Sequence, residues 1–343
     1  MRSKLIRVLG ITTALCFVLT GCSNVPVVGK AEAQQEDDSI EIGICFDSFV
    51  IERWERDRDV FVDTASSLGA TVNVQNANGD VEKQKEQIDY LVDKGVDCLV
   101  INPVDGGALA DSVARAKEKG IPIVCYDRLI PNAGTDLYIS FDNNMVGQLM
   151  GEAIASQDVK NVVMICGPLT DSNVPMVNSG FLKEMESNDI RILDTYYCEG
   201  WKAELGAAYV YDNMDTIKKA DAIMCGNDDV ATAVIRALAV SQLAGVKPVV
   251  GQDADLPACQ HIVEGTQLMT VYKPVGKLAE QAAQLSYVLA SGGDINIDSS
   301  IHDGSYQIPY VAVEPIAVTK DNMNEVVVEG GFHAHEDVYM NVE

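Results

Sequence analysis

No two cysteines in this 343-residue chain are spaced C-x-x-C, and no G-x-G-x-x-G or G-x-x-x-x-G-K-[ST] stretch occurs. The second absence removes the usual sequence support for a dinucleotide or nucleoside triphosphate ligand. Once Cys16 and Cys22 near the N-terminus are set aside, the nine cysteines leave seven. That odd number without clustered spacing argues against a disulfide framework and a zinc site. Cys45, Cys98, Cys125, Cys166 and Cys225 lie in or at the end of short β-like runs and read as small buried hydrophobes. Histidine is scarce too. His261, His302, His333 and His335 fall away from the polar strand ends described below, with no metal-ligand spacing and no nucleophile elbow, so an enzyme, a cofactor and a metal all lack support. His333 and His335 are expected in a solvated tail. Basic residues number 25 against 51 acidic, a net charge of −26 that repels phosphate backbones and argues against a nucleic-acid partner. Beyond the N-terminus no apolar run is long enough to span a bilayer.

The N-terminus is where export is written. Arg2, Lys4 and Arg7 precede a short apolar run over residues 8–19, the pattern of a secretory signal rather than a transmembrane helix. It ends in Leu19-Thr20-Gly21-Cys22, which resembles the bacterial lipobox. Residues 1–21 are therefore expected to be a signal peptide, with Cys22 acylated and anchoring the protein outside the cytoplasm. Residues 22–38 form a polar tether, and the folded body begins near Ser39. A DNA-binding regulator built on a similar core would need a helix-turn-helix in place of this signal.

From there the chain alternates apolar strands (EIGICFD, TVNVQNA, CLVINP, PIVCYD, LYISFD) with helical segments over 54–68, 80–94 and 111–119. A second series follows (NVVMICG, RILDTYYCEG, AIMCGND, PVVGQD, LMTVYKP), with helices over 177–185, 202–214 and 230–243. This α/β alternation predicts two doubly wound parallel-sheet lobes; as a hypothesis beyond the alternation itself, a multi-crossover hinge is expected to join them. The N-terminal lobe is expected over 39–142 plus about 273–304, the C-terminal lobe over 143–272 plus about 305–343, with crossings near 142–144, 271–273 and 301–309. Seven strands end in polar strings: Phe46-Asp47, Asn102-Pro103, Tyr126-Asp127-Arg128, Phe141-Asp142-Asn143, Gly226-Asn227-Asp228, Gly251-Gln252-Asp253 and Tyr272-Lys273-Pro274. Open α/β sheets bind ligands beyond the carboxyl ends of their strands, so together these describe a polar cleft. Singly, each Asp or Asn serves equally as a helix cap or turn residue.

A pyranose ring presents two partly apolar faces and an equator of hydroxyls that donate and accept, and so fits aromatic rings above and below with Asp, Asn, Arg and Lys at the edge. The only two tryptophans, Trp54 and Trp201, fall one in each lobe beside strand ends.

From about residue 41 to 332 the sequence resembles the D-xylose-binding branch of the type I periplasmic-binding-protein superfamily, which serves bacterial ATP-driven sugar uptake. The matching strings include Ile51-Glu52-Arg53-Trp54, Asp57-Arg58-Asp59, Gln75-Asn76-Ala77-Asn78-Gly79, Tyr126-Asp127-Arg128, Tyr138-Ile139-Ser140-Phe141-Asp142-Asn143, Gly251-Gln252-Asp253-Ala254-Asp255-Leu256 and Thr270-Val271-Tyr272-Lys273-Pro274. The resemblance implies that Trp54 and Trp201 stack on the two sugar faces. Arg53, Asp127 and Arg128 would bind hydroxyls from the first lobe, and Asp171, Asn173, Asn227 and Asp253 from the second, with Lys273 near a crossover. Asp171 and Asn173 rest mainly on the resemblance, and the sequence departs from the family around 168–174. Asp142 and Asn143 serve equally well as hinge or capping residues. The implied role is a monomeric, lipid-anchored receptor that closes on D-xylose and delivers it to the permease of an ABC transporter. A receptor that presents sugar to a membrane sensor kinase, and a binder of ribose, arabinose or glucose, are the alternatives.

Overall fold

The computed structural model of the chain describes residues 39–51 and 53–342. The expected signal, Cys22 and tether lie outside the described residues. β1 (Glu41–Phe46), α1 (Arg53–Ser67), β2 (Thr71–Asn76), α2 (Val81–Lys94), β3 (Cys98–Ile101), α3 (Ala110–Glu118), β4 (Ile123–Tyr126) and β5 (Leu137–Phe141) begin the first lobe. The second lobe follows with α4 (Asn143–Ala155), β6 (Asn161–Cys166), α5 (Asn173–Ser187), β7 (Arg191–Tyr197), α6 (Ala203–Asp212), α7 (Met214–Lys219) and β8 (Ala222–Cys225). It continues through α8 (Asp228–Val240), β9 (Val249–Gln252), α9 (Leu256–Glu264) and β10 (Met269–Tyr272). α10 (Val275–Ala290), β11 (Ser300–His302) and β12 (Gln307–Val313) return to the first lobe, and β13 (Ile316–Val318) and α11 (His335–Val338) rejoin the second.

The sheets run β11-β12-β5-β4-β3-β1-β2 and β13-β10-β9-β8-β6-β7. Pairing is parallel except at two edges, β11 with β12 and β10 with β13, which the purely parallel expectation did not include. β3, β4, β5, β8 and β9 are buried at every residue, which explains their continuous apolar runs: helices cover both sheet faces. Alternation along β1 divides the first lobe's core. Ile42, Ile44 and Phe46 pack with residues of α1 and α10, whereas Cys45 packs with Ile88 and Leu91 of α2 on the other face. Cys45, Cys98, Cys125, Cys166, Cys198, Cys225 and Cys259 are all buried free thiols. Local chemistry fixes α2 at both ends. The Asp80 carboxylate accepts the N–H groups of Glu82 and Lys83, and Gly95 terminates the helix at φ 80°.

Three chain crossings join the lobes. Two lie at residues 142–143 and 273–274. The third, expected around 301–309 with the C-terminal lobe resuming near 305, falls instead at 314–315. β12 extends the first lobe's sheet, pairing Tyr310 with Tyr138 and Val313 with Phe141, so the chain cannot leave that lobe before Val313. Other boundaries also move: α5 begins at Asn173 rather than 177, and α6 and α7 divide the single helix expected over 202–214. Nor is the C-terminal segment a solvated tail. Val318, Met323, Val327 and Val338 form a core with Ile262 and Val263 of α9. His333, half-buried, places Nε2 2.8 Å from the Ala254 carbonyl, next to one of the polar strand ends. Asp142 accepts the N–H of Met145 and caps α4.

Candidate functional site

The carboxyl ends of the strands meet between the lobes. In the first lobe, Arg53 and Trp54 open α1, and β4 delivers Asp127 and Arg128. Asp127 has φ 64°, unusual for a residue with a side chain, and its turn is held by bonds from its own N–H to Ile139 O and from Arg128 N–H to Tyr126 O. In the second lobe, Asp171 comes from the β6–α5 connection, Asn173 opens α5, Trp201 precedes α6, Asn227 caps α8, and Asp253 and Lys273 follow β9 and β10. All ten residues singled out in the sequence line one cavity. Measured by where the centre of a water molecule can go, it holds about 30 Å³, two to three times what one water needs.

Its charges are paired. Arg53 contacts Asp57 at 3.0 Å and Asp127 at 2.9 Å; Arg128 contacts Asp47 at 2.5 Å and Asp171 at 2.6 Å; Lys273 contacts Asp253 at 2.7 Å. Arg128–Asp171 joins the lobes, as do Asn173 Nδ2 donating to Asp127 Oδ1 at 2.8 Å and Leu129 N–H donating to Ser172 Oγ at 2.7 Å. The lobes are thus in contact across the cleft. Burial works against the Asp127 carboxylate, yet Arg53, Lys273 and Arg128 together hold it below the usual range. For Asp57 and Asp171 burial prevails over the neighbouring arginine and pushes both upward. The Arg53 guanidinium also lies 4.2 Å from the centroid of the Trp54 ring.

Comparison with known proteins places this architecture. The family described as "Periplasmic binding protein domain" matches residues 42–294. The chain belongs to the periplasmic binding protein family. It is 39% identical over 319 residues to the D-xylose-binding periplasmic protein of Haemophilus influenzae, covering 91% of this chain and 95% of that one. To the protein of the same description in Escherichia coli it is 37% identical over 329 residues, covering 94% and 98%. Among solved structures, an ABC transporter solute-binding protein from Clostridium phytofermentans with bound β-D-glucose superimposes with a TM-score of 0.80 at 25% identity, covering 87% of this chain and 99% of that one.

In this periplasmic binding protein three fully buried neutral polar atoms on cavity-lining residues have no hydrogen-bond partner among the described residues: Trp54 Nε1, Asn227 Nδ2 and Gln252 Oε1. Two are aimed by the other end of their own amide. Asn227 Oδ1 accepts the Val230 N–H at 3.0 Å, leaving its NH2 for the cavity, and Gln252 Nε2 donates to Gly226 O at 2.6 Å, leaving its carbonyl. Buried polar atoms left unmatched by protein point to a ligand or water that matches them. Trp201 sits at φ 58°, its Nε1 donating to Asp171 Oδ2 at 3.1 Å, and its ring covers Gly167, where any Cβ would collide with the indole.

Sequence reasoning missed Asp47, Asp57 and Gln252 as site residues. Asp47 and Gln252 stand in polar strand-end strings, and Asp57 is four residues after Arg53, the helical spacing that brings two side chains together.

Proposed function

We propose that the chain is an extracytoplasmic receptor that captures D-xylose between its lobes and delivers it to an ABC transporter, held at the membrane by a lipid on Cys22. The observation that carries the sugar reading is the state of the cavity's charges. Each of its three cations already has a carboxylate partner, so none is free for an anionic ligand, while neutral donors and acceptors from both lobes remain unmatched. A polyhydroxyl ring suits that wall, since every hydroxyl both donates and accepts, and tryptophan from each lobe supplies apolar surface. The names of the relatives from Haemophilus influenzae and Escherichia coli favour xylose among such rings. In this account Arg53, Asp127 and Arg128 bind hydroxyls from the first lobe, and Asp171, Asn173, Asn227 and Asp253 from the second. Trp54 and Trp201 flank the ring, and Lys273 sits beside the crossing at 273–274. Because the sugar touches both lobes, its differential affinity stabilises the closed form.

Titration calorimetry with xylose, glucose, arabinose and ribose on one preparation tests this. Xylose should bind with Kd of about 1 μM or tighter and the others at least about tenfold more weakly. Glucose is the sharpest competitor, because its extra CH2OH must be fitted or left with an unpaired hydroxyl at roughly 1–3 kcal/mol. Preference for a hexose or for ribose would refute the xylose assignment.

A further inference from the structure

Asp228 is fully buried in the first turn of α8, beside Asn227 but outside the cavity lining. An aspartate there would ordinarily cap the helix. Asn227 already does so, leaving the Asp228 carboxylate to serve other segments. It accepts hydrogen bonds from Thr270 Oγ1 of β10 at 2.6 Å, from Gln267 Nε2 at 2.9 Å and from the N–H of Asp255 at 3.2 Å. Thr270 Oγ1 in turn accepts the N–H of Ala254 at 3.1 Å. Gly251 makes room, since a Cβ there would run into Asp228 Oδ1.

These bonds converge on the turn after β9, where Asp253 at φ 105° and Ala254 at φ 55° are consecutive non-glycine residues with left-handed backbone. Such conformations persist only where the surroundings over-determine them. Two of the three residues in the turn, Ala254 and Asp255, have their N–H groups fixed through Asp228, directly or through Thr270. The turn's first residue, Asp253, carries the carboxylate that lines the cavity and meets Lys273 Nζ at 2.7 Å.

We infer that Asp228 is a positioning residue for ligand binding: with Thr270 it clamps the left-handed turn so that Asp253 is presented to the sugar. This rests on the sugar-binding reading above and adds to it a residue that never touches the ligand. A role confined to folding would lower thermal stability without making the effect on affinity depend on Asp253.

A double-mutant cycle separates the two. D-xylose affinity is measured by tryptophan fluorescence on the full chain and on Asp228→Ala, Thr270→Val, Asp253→Ala and the two doubles carrying Asp253→Ala, with circular dichroism as the folding check. Asp228→Ala should lose about tenfold or more in affinity and Thr270→Val about threefold or more. With Asp253 already removed there is nothing left to position, so adding either change should cost less than about threefold. A larger further loss in that background, or wild-type affinity in Asp228→Ala, overturns the inference. If Asp228→Ala does not fold, the Thr270→Val cycle decides by the same criterion. Wild-type protein that binds no sugar sinks the sugar reading and this inference with it, whereas binding wild type with an additive cycle sinks the inference alone.

Discussion

Gly167→Ala tests the width of the slot without removing any polar group from it. The glycine follows β6, and its backbone is not left-handed, so alanine is permitted by φ. The obstacle is Trp201. A Cβ at 167 would lie 2.6 Å from Cζ3 of the indole and closer still to Cη2 and Cζ2, where ordinary contact begins at 3.4 Å. The nearest ring atom, Cη2, lies 2.2 Å away, so the ring must move by about 1.2 Å to reach ordinary contact, since carbon atoms gain nothing inside their contact distance. Trp201 Nε1 is bonded to Asp171 Oδ2, and Asp171 also holds Arg128 across the cleft, so the ring cannot swing without straining that bond. Losing a hydrogen bond to a charged acceptor costs about 1.5–3 kcal/mol, and a misplaced stacking surface about 0.5–1.5 kcal/mol. The sum of about 2–4.5 kcal/mol corresponds to a loss of roughly 30-fold to 1000-fold or more in xylose affinity. The Trp201–Asp171 bond lies within the second lobe and does not depend on sugar, so part of this cost falls on folding: the melting temperature without sugar should drop, and the affinity loss should lie toward the lower end of that range. Calorimetry showing Gly167→Ala within about threefold of wild type would refute the claim that the seat of Trp201 sets the slot.

Arg56→Ala removes a contact between lobes, the guanidinium bond to Phe332 O at 2.9 Å and its stacking 4.0 Å over the Phe332 ring. Xylose dissociation, followed by stopped-flow fluorescence, should accelerate roughly 5- to 30-fold for a loss of about 1–2 kcal/mol, and an unchanged rate would remove Arg56 from closure. Burial, with Asp253 nearby, pushes the Asp228 carboxyl up from 3.8 to about 8 against the hydrogen bonds it accepts. Its folded value lies above the unfolded one, so the native state retains a proton that the unfolded chain has released, and its contribution to stability is lost as pH rises through the window from 3.8 to about 8. Asp228→Asn should flatten the decline of melting temperature between those limits, and parallel curves for the two proteins would contradict the shift. Cys22→Ser should release the protein from membrane fractions with sugar affinity unchanged, and complete retention in membranes would rule out the lipid anchor.

The two-lobed α/β architecture and most of the cavity were legible because strand ends in open α/β sheets leave a signal that survives without coordinates: an apolar run followed by Asp, Asn, Arg or Lys. Asp127, Asn227, Asp253 and Lys273 carry it, and each sits where the rule places it. Edges were harder. β12 begins with Gln307-Ile308-Pro309-Tyr310, partly exposed and proline-bearing, so nothing in its composition announces that it pairs with β5, and the last crossing was placed about ten residues early. His333 was assigned to solvent because position near a terminus says nothing about a partner at Ala254, 79 residues away in sequence. Asp228 was hidden for a different reason. Its neighbour Asn227 is an equally good cap, and only the geometry shows which of the two caps α8 and which turns inward.

The pairing of charges also limits what sugar can contribute to closure. Arg128 and Asp171 meet across the cleft with both side chains almost wholly buried, so separating the lobes breaks that contact. Removing one partner of such a pair is costly, about 3–5 kcal/mol, because the other is left buried and unmatched. In the open form, however, water can reach both, and the pair gives closure little net preference. A ligand shifts the balance only through contacts that exist in the closed form and not in the open one. Trp54 Nε1 on the first lobe and Asn227 Nδ2 and Gln252 Oε1 on the second are the neutral atoms placed to make them. A molecule that satisfied one lobe alone would bind without closing it. On the proposed reading, selection among neutral sugars falls on whether one ring can reach both walls at once.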